Sequence, residues 1–337
     1  MKGEKKQFIV GYDGGYSNTK LTYGWSDHDK FTTEIFAATG IREQASTFLK
    51  RKNQDEVTVQ VDGEKWAVFG PGKSQEREIN SGYSKTPIYK ALYLGALDKI
   101  SKVTKEIDIL VTGLPASQAR NQAIVKPLIA MMQGVHKIDE DTEVVVRKVL
   151  VIAQGSGVIN DVLNSIDDPN RLFRSNILVV DPGYYSVDYV VYEKGNLNER
   201  ASNSSVEAVR SLISTINELM RDEIHTEPGL DTIEEAFRSN EKSIYLFGKE
   251  YDLIPYIEKA KKIVYPRLLS QVRNDLSFMS TDRVDEVLLA GGGANLYEGA
   301  VREAYPNARI NVSAEPVASN SRGFFFYGLG EVESQNG

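Results

Sequence analysis

An α/β architecture built from two similar halves is what this 337-residue sequence predicts. Three observations predict it. Short apolar runs of strand length alternate with longer segments whose apolar residues recur at helical spacing. A strand–turn–strand unit over residues 177–192 (ILVVDPGYYSVDYVVY) has a counterpart at residues 8–23 (FIVGYDGGYSNTKLTY), half a chain away. A triple glycine, Gly291-Gly292-Gly293, follows a further apolar run and opens a helical pattern.

Taken in order, residues 8–24 read as a first hairpin, and 31–38 supply a third strand. Residues 57–69 (VTVQVDGEKWAVF) alternate as a hairpin turning at Asp62-Gly63. A polar loop over 70–86 leads to a helix beginning at Pro87, where the missing proline N–H costs nothing, and running through Ile88, Ala91, Leu92 and Leu94. Residues 107–112 (IDILVT) form a buried strand ended by Gly113-Leu114-Pro115, and 144–153 form another. Gln154-Gly155-Ser156-Gly157 opens a helix through Val158, Ile159, Val162 and Leu163. The surface turn Asp167-Asp168-Pro169-Asn170 marks the boundary between the halves.

The second half repeats the plan. After its hairpin comes a polar stretch at 196–205, then a helix with Val206, Val209, Leu212, Ile213, Ile216 and Met220 at helical spacing. A long helix spans about 255–279, a strand 284–290, and a last helix follows Gly291 to Ala294.

Composition narrows the function classes. A net charge of −7 argues against direct grip on nucleic acid, which needs a basic surface. Without cysteine there is no disulfide framework or thiolate metal site, which fits a reducing cytosol. No apolar run approaches a membrane span, and the polar start precedes no signal-peptide core. A cytoplasmic protein without membrane attachment is expected.

The repeated unit carries the chemistry. A carboxylate at a strand end followed by a glycine turn suits a phosphate and its divalent cation: turn amides face the anion, and the Asp holds the cation's water shell. Alone, an Asp-x-Gly turn joins many ordinary hairpins. Here Asp13 falls on Asp181, Gly15 on Gly183, Tyr16 on Tyr184 and Lys20 on Asp188. Two such turns facing each other grip one polyphosphate from both sides. The triple glycine alone reads best as a tight strand-to-helix connection; beside the two turns it offers a place for a nucleotide's base and sugar.

With these residues quoted, the sequence resembles the actin-like ATPase superfamily. The superfamily's two phosphate motifs match FIVGYDGGYSNTK and ILVVDPGYYSVD, its adenosine motif VLLAGGGANLYEG, and a connecting motif VLVIAQGSGVIND. Within it the chain looks most like the ParM/StbA plasmid-segregation actins and their archaeal relatives, by its compact size and its closing ASNSRGFFFYGLG. The resemblance implies an actin-like, ribonuclease H-like duplicated fold with a nucleotide cleft between two domains, 1–166 plus about 320–337 and 167–319. It implies ATP/ADP and Mg2+ as ligands. Asp13 and Asp181 would hold the magnesium through water, and Gln154 would orient the attacking water. Gly14, Gly15, Tyr16, Ser17 and Asn18 would bind phosphate with Lys20, and Gly183, Tyr184, Tyr185 and Ser186 would form the second phosphate loop. Gly291, Gly292, Gly293 and Ala294 would carry the adenosine. Asp188 is assigned either to the site or to the turn behind it; the Lys259/Lys261/Lys262 cluster reads as a solvated helix face, in a region that relatives can use near the nucleotide.

Two departures stand out: Pro182, Tyr184 and Tyr185 occupy places where many relatives have small residues, and Asn203-Ser204-Ser205-Val206-Glu207 lacks a double glycine. The resemblance implies an ATP hydrolase, forming ADP and phosphate, coupled to head-to-tail helical filaments that segregate plasmid DNA through a DNA-binding adaptor. A small-molecule kinase of the same superfamily competes, but no further Asp motif supplies its base. A chaperone would need a peptide-binding domain for which no residues remain. A membrane-bound cell-shape actin would need an amphipathic anchor that the polar amino terminus does not offer.

Overall fold

The computed structural model describes residues 6–28, 30–42, 55–70, 82–184, 186–205, 209–238, 241–280 and 283–336. The first hairpin is β1 (Phe8–Gly14) against β2 (Asn18–Trp25), with β3 (Phe31–Ala37) on its outer edge. Phe8 to Asp13 are all buried, as befits a central strand covered on both faces. A small side sheet holds β4 (Gly40–Arg42), β5 (Val57–Val61) and β6 (Glu64–Val68). Its hairpin turns where predicted, with φ of 50° at Asp62 and 89° at Gly63, the left-handed pair that matches strand twist. The predicted helix is α1 (Pro87–Ser101), whose first turn is capped by the Thr86 hydroxyl accepting from the Tyr89 N–H.

β7 (Glu106–Leu114) then runs parallel to β1. The helices α2 (Ala116–Ala119) and α3 (Gln122–Met132) and the strand β8 (Gly134–Lys137) lead to β9 (Glu143–Ala153), parallel to β7. The sheet order is β3-β2-β1-β7-β9-β8. From β9 the chain leaves by α4 (Ser156–Leu163) and α5 (Asn170–Arg174) for the second sheet. That sheet opens with β10 (Asn176–Pro182) and β11 (Val187–Glu193), edged by β12 (Asn196–Leu197) and β13 (Asn203–Ser205). These two short strands fall in the polar stretch at 196–205.

Next come α6 (Val209–Ile224), α7 (Leu230–Arg238) and the hairpin β14 (Ser243–Leu246) and β15 (Lys249–Asp252). The long helix α8 (Ile254–Leu276), β16 (Glu286–Leu289), α9 (Ala294–Ala304), β17 (Arg309–Val312) and α10 (Ser319–Asn336) complete the chain.

The duplication is explicit in the topology. In each sheet an antiparallel hairpin is followed by two parallel strands, β2-β1-β7-β9 in one and β11-β10-β16-β17 in the other. The registers agree residue for residue: Asp13 lies opposite Lys20, and Asp181 opposite Asp188. The turns close alike. The Gly15 N–H donates to the Asn18 carbonyl at 3.1 Å, and the Gly183 N–H to that of Ser186 at 2.8 Å.

The last helix, α10, returns to the first sheet, its Phe324 and Phe325 packing with Ile9, Ile109 and Val111. It crosses α4 at bare backbone: a Cβ on Gly323 would lie 1.6 Å from the Gly157 carbonyl oxygen. Gly11 is needed for the same reason, since its Cβ would meet the Ser321 carbonyl at 2.0 Å. Sequence periodicity does not announce α10, because apolar and glycine residues surround it rather than forming one stripe.

Candidate nucleotide site

A cavity of about 670 Å³ opens between the two duplicated turns, within the range of small-molecule sites. Of the residues expected there, Asp13 to Asn18, Lys20 and Gln154 line it from the first sheet. Asp181, Gly183, Tyr184, Ser186, Gly291 and Gly292 line it from the second. Tyr185 lies outside the described residues. Gly293 and Ala294 do not line the cavity. A Cβ on Gly293 would meet Val209 and Pro182 within 3 Å, and its N–H donates to the Pro182 carbonyl at 2.9 Å. Ala294 is buried in the core of the second sheet. Both serve packing, which a glycine motif alone cannot distinguish from ligand approach.

The first glycine of the triplet has a sharper reason to be there. Gly291 sits at φ +80°, and a Cβ on it would lie 2.1 Å from Asp181 Oδ1. The third motif is therefore shaped around the carboxylate of the second.

The acidic groups are held differently. Asp13 accepts from Lys20 Nζ at 3.0 Å and from Gln154 Nε2 at 3.1 Å. Asp181 accepts from the Asn320 side-chain amide, and Asp188 from the Ser186 and Ser204 hydroxyls. Asp188 thus both steadies its own turn and faces the cavity. Burial, reinforced by Asp188 and Asp13, pushes the Asp181 carboxyl up to about 7, with Lys20 and Asn320 pulling the other way. Burial also raises Asp188 to about 6, against hydrogen bonds from Ser204 and Ser186.

Buried Asp13, Asp181 and Asp188 face the cavity, with Lys20 bonded to Asp13, and this excess of buried carboxylate suits a cation. Among the described residues no group of three or more His, Cys, Asp or Glu side chains is placed to ligate a metal directly. The donor set fits a divalent ion that keeps its water shell, the habit of magnesium rather than zinc.

Several groups escaped the sequence reading. Asn320 reaches the site from α10, 139 residues from its partner Asp181. The buried Glu234 of α7 accepts from the Ser17 hydroxyl at 3.4 Å, joining the first turn to the second half of the chain. Tyr83 stacks on Tyr16 with ring centroids 4.2 Å apart, and its hydroxyl donates to the Gly15 carbonyl. Of the lysine cluster left between a solvated face and the neighbourhood of the nucleotide, Lys261 lines the cavity with Ile257, Leu296 and Val317. No local pattern marks these residues, since tertiary packing alone assembles them.

Comparison with known proteins agrees with this geometry. The family of actin-like proteins, by its N-terminal domain, matches residues 11–157, and the archaeal actin homologue MreB-like C-terminal domain matches residues 179–303. No curated protein sequence matches the chain. Among solved structures, the archaeal actin homologue Ta0583 is similar at a TM-score of 0.74 and 18% identity, over 96% of this chain and 99% of that one. A ParM subunit of a 15-stranded filament from Clostridium botulinum is similar at 0.70 and 18%, over 96% and 99%. The actin-like protein Alp7A is similar at 0.71 and 15%, over 98% and 97%. Ta0583 has also been crystallised with ADP. Residues 11–157 thus match the N-terminal domain of actin-like proteins, residues 179–303 match the C-terminal domain of an archaeal actin homologue, and the fold shared with these structures over nearly full length is the actin-like one.

Proposed function

We propose that this protein binds ATP and ADP with magnesium in the cavity between two lobes, hydrolyses ATP there, and assembles head to tail into filaments. The lobes are residues 1–166 with 320–337, and 167–319. The observation that carries the reading is the pair of turns, alike in register and closure, bracketing one cavity with an excess of buried carboxylate. The ADP complex of Ta0583 and the ParM filament support the nucleotide and the polymer.

Magnesium, when bound, would neutralise phosphate charge and align the phosphoryl group. Asp13 and Asp181, one on each duplicated turn, would hold its waters. Loop amides of the two turns and Lys20 receive phosphate oxygens. An ionised Asp13 only accepts hydrogen bonds, so Gln154 must present Nε2 to it, which leaves Oε1 to accept from water. Gln154 orients the attacking water without being a strong base. Gly291 and Gly292 face the nucleoside, with Ile257 and Leu296 supplying apolar surface.

A head-to-tail contact that does not close on itself generates a polymer. Its work would be that of the plasmid-segregating actins, moving DNA in the cytoplasm through a DNA-binding adaptor. Light scattering and electron microscopy of the purified protein test this: ATP with magnesium should produce filaments. A monomer at high concentration, with ADP release stimulated by a sugar, would instead support the small-molecule kinase.

A further inference from the structure

We infer that Asn320 is a positioning residue for hydrolysis, setting the distance between Asp181 and the strand end that carries Gln154; the inference rests on the nucleotide reading above. Both ends of its side-chain amide are used. Nδ2 donates to Asp181 Oδ2, and Oδ1 accepts from the Gly155 N–H at 2.9 Å. Gly155 directly follows Gln154 and stands at φ +84° at the start of α4. One buried amide therefore joins the second carboxylate loop to the residue beside the water-orienting glutamine.

Its own placement is rigid. Asn320 lies in the first turn of α10, and one turn later Gly323 rests on the Gly157 backbone. A Cβ on Gly157 would in turn come 2.8 Å from the Asn320 carbonyl oxygen and 2.9 Å from its Oδ1. The crossing of α4 and α10 has no slack, so the amide acts as a spacer of fixed length. Asp13 is held independently by Lys20 and Gln154. Without Asn320, Asp181 would lose the side chain that aims it, whereas the residues assigned to phosphate and nucleoside would stay in place. Positioning errors of about 1 Å cost on the order of 100-fold in rate.

The test is steady-state ATP hydrolysis with magnesium for wild type, Asn320→Ala, Asn320→Ser, Asp181→Asn and the double variant Asp181→Asn/Asn320→Ala, each checked for folding by thermal melting. Asn320→Ala should lower kcat by about 100-fold while KM moves by less than about 3-fold. Asn320→Ser, which keeps a short donor, should recover part of the loss and serves as the reporter where the alanine variant does not fold. In the Asp181→Asn background, read in single turnover at nucleotide concentrations that saturate that variant, the alanine substitution should cost much less than in wild type, because the part of its effect that runs through Asp181 is already lost. Wild-type kcat in Asn320→Ala, or losses that simply multiply in the double variant, would overturn the inference while leaving the nucleotide site standing. Absence of turnover in wild type would overturn both.

Discussion

Gln154 donates from Nε2 to Asp13 Oδ1 at 3.1 Å, so the end of β9 and the end of β1 are joined by the two side chains assigned to water and to magnesium. A carboxylate with no proton to give dictates which way the glutamine amide faces. Gln154→Ala should therefore lower ATP hydrolysis by roughly 100-fold or more, as loss of a water-positioning group does. ADP affinity should stay within a few-fold, since no phosphate contact is removed. Single-turnover hydrolysis and ADP titration on the same preparation separate the two effects.

The buried carboxylates make a pH prediction. Asp181 titrates at about 7 in the folded chain against an ordinary value of 3.8, and Asp188 at about 6. The native state thus holds protons that the unfolded chain has released, so without nucleotide stability falls as pH rises from about 4 to about 7 and then levels. Thermal melts of the nucleotide-free protein across this range should show the decline, and Asp181→Asn should flatten much of it. Cation binding needs the carboxylates ionised, so Mg·ADP affinity should run the opposite way, rising as pH passes from about 6 to about 7.

The glycine crossing offers a test of the fold. Inside an exposed helix, alanine is favoured over glycine by about 1 kcal/mol. At Gly323 the added methyl would sit 1.6 Å from the Gly157 carbonyl oxygen, and backbone cannot yield as a side chain can. Steric cost wins: Gly323→Ala should destabilise by about 3 kcal/mol, at the upper end of overpacking penalties. Denaturant unfolding measures it, and a neutral or stabilising result would mean that α4 and α10 do not meet as described.

Gly291→Ala is expected to fail at the site itself. It imposes a side chain at φ +80° and drives a methyl to 2.1 Å from Asp181 Oδ1. Strain of this kind costs about 1–3 kcal/mol, and displacement of Asp181 should abolish magnesium-dependent nucleotide binding. Gly248→Ala, at φ +81° with nothing within 4 Å of the added methyl and outside the cavity lining, is the matched control for backbone strain.

How much of this was legible in the sequence follows from what is local. The two hairpins, their turns and the correspondence of Asp13 with Asp181 and of Lys20 with Asp188 are legible in the sequence; the register that sets Asp13 opposite Lys20 and Asp181 opposite Asp188 comes from the structure. Gln154 is placed by the resemblance of VLVIAQGSGVIND to the superfamily's connecting motif. Asn320 and Glu234 could not, since each reaches the site from a helix far along the chain. The helix α7 and the hairpin β14–β15 are likewise not legible: the strands are four residues each, the outward position of the first holds an apolar Tyr245, and an exposed Phe247 sits in the turn. Gly293 and Ala294 belong to a motif that is visible in the sequence, but their packing is not: Gly293 lies close against Pro182 and Val209, and Ala294 is buried in the core.

Calorimetric titration of the purified protein with ATP or ADP in magnesium, alongside Asp181→Ala, addresses the central claim most directly. One nucleotide per chain, bound with magnesium-dependent affinity that the folded Asp181→Ala variant loses, is the predicted result. No binding of adenine nucleotides by the wild type, or equal affinity in the variant, would contradict it.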